Sequence, residues 1–191
     1  LRYADSDFDM STAAVSYHTH QVFSGNSIYD PDVTGVGIQP YLHDELAQLW
    51  KRYRVRAAKI SCYFSTTTSS SACPTIRAFV WAGLGSADVT DTDPGSVMQV
   101  KNKVQSVFNR ESLNSVPKKG KLSLYMSTRK AIANFADDND LSASFGANPQ
   151  SRWYFHVVTD SVGYAQAATV LMDVKIRYYC ELSDRVDPAQ S

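Results

Sequence analysis

Lys51, Arg52, Arg54, Arg56 and Lys59 stand within nine residues of one another, with Trp50, Tyr53 and Tyr63 interleaved or close by. Cationic side chains attract phosphates and aromatic faces stack on bases, so this pattern suits contact with a single-stranded nucleic acid. Arg54 and Arg56 are two residues apart, which on a strand puts them on one face about 7 Å from each other. Lys118, Lys119 and Lys121 form a second basic cluster, and Lys101 and Lys103 a third. The competing interpretation is a solvated strand face whose bases pair with acids of a neighbouring copy, with Asp30, Asp32 and Asp44 as candidates.

Other chemistry finds less support. His18 and His20 share one face of any strand they occupy, and His43 and His156 could approach each other in the fold. A zinc site needs about four ligands at defined spacing, and no Cys-x-x-Cys pair is present, so these read as ordinary strand histidines. Asp30 and Asp32, Asp88, Asp91 and Asp93, and Asp137, Asp138 and Asp140 could offer carboxylates to Ca²⁺. None follows the calcium-loop pattern, and Asp in loops is ordinarily turn chemistry. The expectation is therefore no cofactor, with Ca²⁺ at a subunit interface as the weaker alternative. The chain has no Gly-x-Ser-x-Gly, no phosphate-cradling glycine loop and no paired-carboxylate motif, which argues against an enzyme.

The elements that carry these residues read as β structure. At 191 residues, 43% of them apolar, the chain is one domain (1–191) that buries a sizeable core without metal or disulfide. Tyr53, Val55 and Ala57 share one face opposite Arg54 and Arg56. The apolar face then passes to Ala58, Ile60, Cys62 and Phe64, a phase slip that predicts a β-bulge at Ala57–Ala58 in a long strand. Thr12–Phe23, Lys121–Met126 and Trp153–Val158 are further strands. Thr75–Ala82 is apolar on both faces apart from Arg77, which places it centrally or at an interface with another copy. In the last strand Val170, Met172, Val174, Ile176, Tyr178 and Cys180 alternate with Leu171, Asp173, Lys175, Arg177, Tyr179 and Glu181. Its first set faces the core, its second solvent or a neighbour. One short helix fits near Asp44–Arg52, where Leu46, Leu49, Trp50 and Tyr53 fall at helical offsets and Asp44 can cap. The expected core is Val55, Ile60, Phe64, Ile76, Val80, Leu124, Trp153, Phe155, Val174, Ile176 and Tyr178. Long loops between short strands, without repeats, give a two-sheet antiparallel sandwich whose topology periodicity alone leaves open.

Charge is unevenly spread although lysine plus arginine and aspartate plus glutamate both number 19. Residues 1–50 carry one base and seven acids, residues 51–130 fourteen bases and four acids, and residues 131–191 four and eight. Bias of this kind locates partners better than the net charge does. Three cysteines, Cys62, Cys73 and Cys180, are odd in number and far apart, so reduced structural thiols are expected. No apolar run is long enough for a membrane helix, and the first residues lack the pattern of a signal peptide. The opening Leu1 predicts that the chain begins partway into a longer protein.

Several blocks resemble one family. Gly25-Asn-Ser-Ile-Tyr-Asp-Pro-Asp-Val-Thr-Gly-Val-Gly-Ile-Gln-Pro40, followed by Trp50-Lys-Arg-Tyr-Arg-Val-Arg-Ala-Ala-Lys-Ile60, is similar to the capsid proteins of circular Rep-encoding single-stranded DNA (CRESS-DNA) viruses, the circovirus relatives. Leu124-Tyr-Met-Ser-Thr-Arg-Lys130, Asn148-Pro-Gln-Ser-Arg-Trp-Tyr-Phe-His-Val157 and Ile176-Arg-Tyr-Tyr-Cys180 extend the resemblance in order to the chain's end. Ile38 departs from it, standing where a His is expected. The resemblance implies an eight-stranded jelly roll, on the order of sixty copies of which close into a T=1 icosahedral shell around single-stranded DNA. It implies a virion protein that assembles in the host nucleus and meets a host receptor, preceded by a basic N-terminal arm lying upstream of this chain. The bases at 51–59, 118, 119 and 121 would contact the genome. Two alternatives stand beside it: the coat protein of a small RNA virus, and a non-viral jelly-roll module that binds carbohydrate or a receptor.

Overall fold

A computed structural model describes residues 1–11, 18–34, 38–66, 75–85, 99–100, 103–108, 120–132, 138–162 and 170–186. Among them are nine strands: β1 (Arg2–Asp9), β2 (His18–Ser24), β3 (Trp50–Thr66), β4 (Thr75–Gly83), β5 (Val104–Phe108), β6 (Gly120–Ser127), β7 (Ser142–Ser144), β8 (Tyr154–Val162) and β9 (Val170–Arg185). One sheet runs β1-β9-β3-β6, with the three-residue β7 also paired to β3; the other runs β2-β8-β4-β5. All pairings are antiparallel. Chain-consecutive strands mostly cross from sheet to sheet, so strands that lie side by side, such as β1 and β9, are far apart in sequence. That is the jelly roll, two four-strand paths with β7 added.

The inner faces meet in one core that contains all eleven residues expected there. Alternation dictates this: β9 buries Val170, Met172, Val174, Ile176 and Tyr178 while Lys175, Arg177 and Tyr179 stay exposed. The bulge lies in β3, where the register against β9 shifts between Val55 and Ala57. It falls just ahead of the expected Ala57–Ala58 step and leaves both alanines buried. Thr75–Ala82 is central, flanked in its sheet by β8 and β5.

The short helix expected near Asp44–Arg52 is present, but its extent and cap differ. Helix α1 (His43–Ala47) is five residues long, and the chain is already extended at Trp50. Leu42, in the left-handed region at φ 69°, occupies the cap position without a side-chain bond. Asp44 sits in the first turn instead, its carboxylate 2.9 Å from His43 Nδ1. A second short helix, α2 (Thr128–Ala131), was not anticipated; Ser127 Oγ caps it by accepting from Lys130 N at 3.3 Å.

Two of the resembling blocks turn out to be one physical unit. Gly25 N donates to Trp153 O at 2.8 Å, and a Cβ at Gly25 would lie 2.2 Å from the Trp153 ring, so only glycine fits. Buried Asn26 receives Trp153 N at 2.9 Å and donates to Ser151 O at 2.8 Å. Ser27 Oγ donates to Asn148 Oδ1 at 2.6 Å and lies 3.0 Å from Tyr53 OH. Trp153 Nε1 donates to Thr128 Oγ1, which itself donates to Val55 O. Buried polar groups are satisfied pairwise here, fixing one end of the sandwich.

Candidate nucleic-acid interface

β3 presents Arg52, Arg54, Arg56 and Lys59 on the outer face of the five-stranded sheet, opposite the core residues Tyr53, Val55 and Ile60. The predicted run divides at the bulge. Above it, Arg52 Nη2 donates to Ser142 Oγ at 2.8 Å, and Arg56 Nε meets Glu181 Oε1 at 2.6 Å. Arg54 lies opposite Glu181 on β9 and Ser142 on β7. The acid that engages Arg56 thus belongs to the same chain. Lys51 is exposed at the strand's start.

Below the bulge, Lys59 and Lys121 join bases that lie far from them in sequence. Arg2 on β1 is opposite Arg177 on β9, which is opposite Lys59 on β3, which is opposite Tyr125 on β6. The next row outward holds Ala4, Lys175, Ser61 and Ser123. In the third, Tyr63 lies between Asp173 and Lys121. The ammonium groups of Lys121 and Lys175 stand 5.3 and 5.4 Å from the centre of the Tyr63 ring, within cation–π range. A depression of about 280 Å³ opens here, and its ten lining residues include five bases (Arg2, Lys59, Lys121, Lys175, Arg177) and no acid. Tyr125 and Tyr179 stand at its border, 57% and 42% exposed, edge to face with centroids 6.0 Å apart. Sequence reasoning missed Arg2, Lys175 and Arg177 as partners of Lys59; the signal was the outward phase of β9. Lys101, Lys118 and Lys119 lie outside the described residues, while Lys103 Nζ donates to Val100 O at 3.3 Å.

His20 and His156 stack with Trp81 on the outer side of the four-stranded sheet, His20 Nε2 and His156 Nδ1 being 3.0 Å apart. His43 does not approach His156; buried, it bonds Phe145 O at 3.0 Å. Asp32 accepts from Thr34 N at 3.0 Å as turn chemistry, and Asp30 is raised above the ordinary carboxylate range by burial and by Asp32. Cys62 is fully buried and Cys180 half-buried, both as free thiols. Burial pushes Cys62 far up and Cys180 to about 11. Cys73, Asp88, Asp91, Asp93 and Asp137 lie outside the described residues.

No family model and no curated protein sequence matches this chain. Solved structures do. The tobacco necrosis virus structure aligns with a TM-score of 0.50 and 12% identity over 98% of this chain and 97% of that one. Broad bean stain virus gives 0.48 and 10% over 99% and 93%. Mud crab tombus-like virus gives 0.47 and 14% over 99% and 83%. The fold is accordingly a jelly roll, shared with the tobacco necrosis virus structure.

Proposed function

We propose that this chain is a coat protein that closes, in many copies, into a small icosahedral shell around a single-stranded genome, a structural rather than catalytic role. The supporting observation is the viral-coat jelly roll spanning the whole chain, aligned nearly end to end with the tobacco necrosis virus structure. Closed point-group symmetry lets one such wedge build a finite container, on the order of sixty copies for the smallest shell. The basic outer face of the five-stranded sheet supplies counter-charge for the contents. The test is expression followed by light scattering and negative-stain electron microscopy. Closed particles of uniform size are expected; a chain that stays monomeric across salt and pH would sink the proposal.

The genome type has two readings. The neighbouring coats are those of RNA viruses, which favours an RNA coat. The sequence blocks at 25–40 and 50–60 favour circular single-stranded DNA, with assembly in the host nucleus. Nucleic acid recovered from particles made in cells and digested with DNase or RNase separates them.

A further inference from the structure

We propose that the depression across β1, β9, β3 and β6 is the seat of the packaged strand, its phosphates on the bases and its bases on the tyrosines at the rim. This rests on the shell reading and adds to it that the five-stranded sheet faces the particle's interior. The first support is a cost. Arg2, Arg177 and Lys59 stand side by side on three adjacent strands, an arrangement of like charges that weakens strand pairing. Among the described residues none of the five lining bases takes part in an ion pair. A fold that keeps such a row gains from an anion laid across it. The second support is positioning, since the Tyr63 ring holds the Lys121 and Lys175 ammonium groups over the depression.

The third support selects the kind of polyanion. Tyr125 and Tyr179 present aromatic surface directly beside the charges, with Tyr125 opposite Lys59 itself. A single-stranded nucleic acid uses both features, because every base offers a face for stacking. A sulfated polysaccharide would use the charges alone.

The experiment measures binding of a labelled single-stranded oligonucleotide, and separately of heparin, to the purified chain over a range of salt. Lys59→Ala with Lys175→Ala should flatten the logarithmic salt slope by about 1.4, at about 0.7 per phosphate contact on a single strand. Arg129→Ala with Lys130→Ala, which removes two exposed charges from α2, should change it by less than half as much. Tyr125→Ala with Tyr179→Ala should weaken the oligonucleotide about tenfold and leave heparin unaffected. Lys59→Arg with Lys175→Arg should restore the slope and so excludes misfolding as the cause. An unchanged slope in the lysine pair overturns the site. Tyrosine variants that bind the oligonucleotide like the parent overturn its assignment to nucleic acid and leave a sulfated glycan. Particle counts by electron microscopy on the same variants keep the two proposals apart. Shells with an unchanged slope refute only the site, and a flattened slope without shells refutes only the shell.

Discussion

The two outer faces of the sandwich are built by the same alternation and have opposite fates. On the five-stranded sheet every second residue points outward as Lys59, Ser61, Tyr63, Lys175, Arg177 or Tyr179; Tyr63 is half-buried, while Tyr179 and the bases are exposed. On the four-stranded sheet the outward set is Arg77, Phe79, Trp81, His156, Val158 and Asp160, and most of it is buried. Phe79, Trp81 and Val158 form a second apolar cluster that Val100 helps to cover, with the histidine–tryptophan stack beside it. The chain closes one face with its own residues and leaves the other available. An apolar strand on both sides thus does not by itself signal a partner. The outward apolar side of β4 is satisfied within the chain, which removes it as an argument for assembly.

The largest consequence is in packing. Phe79→Ala should cost about 3–5 kcal/mol, since it empties a fully buried site on the covered face. Tyr125→Ala on the open face should cost under about 1 kcal/mol. Urea unfolding of both variants gives the comparison directly. A Tyr125 variant as damaged as the Phe79 one would mean that the open face is covered in solution.

Among the described residues each face also carries an ion pair, and the two differ in burial. Arg77 Nε reaches Asp160 Oδ2 at 3.0 Å, the Asp160 side chain being 2% exposed. Arg56 and Glu181 are about half exposed. Asp160→Ala should cost about 3 kcal/mol, because it leaves a largely buried guanidinium without its counter-charge. Glu181→Ala should cost less than about 1 kcal/mol and lose even that in high salt. Equal costs would erase the distinction between the faces.

The core was legible in the sequence because period-two alternation leaves little freedom once one face is buried. Val170–Cys180 and Tyr53–Phe64 gave their phases, including the slip that became the bulge. β1 was not legible. It is an edge strand, Arg-Tyr-Ala-Asp-Ser-Asp-Phe-Asp, whose pairing to β9 leaves only Tyr3 fully inside. β5 and β7 are five and three residues long, too short to show a period. The candidate site was half legible for a different reason. Spacing along the chain groups Lys51 to Lys59, but register groups Lys59 with residues on β1, β6 and β9. Arg52 and Arg56 are instead engaged by Ser142 and Glu181. A sequence shows which bases point outward; it does not show which strands lie side by side.

The smallest expected effect concerns tyrosines inside the sandwich rather than on its open face. Burial pushes the Tyr53 hydroxyl up to about 12 and Tyr178 well above its usual value. Tyr53 OH donates to Ala147 O at 2.9 Å, and Tyr178 OH to Ser24 O at 2.8 Å. The folded chain therefore keeps these protons after the unfolded chain has begun to lose them near pH 10. A raised value gives stability that is complete below the unfolded value and drains away as pH climbs toward the folded one. Each such group contributes a slope of about 1.4 kcal/mol per pH unit in that window. Stability measured by urea should be insensitive to these hydroxyls below about pH 9 and fall between about 10 and 12. Tyr53→Phe should cost about 1 kcal/mol at neutral pH through the lost hydrogen bond and should reduce the alkaline slope. A variant with the parent's full alkaline slope would show that Tyr53 ionises alike in both states, and that the end of the sandwich fastened by Ser27, Asn148 and Tyr53 is open to water.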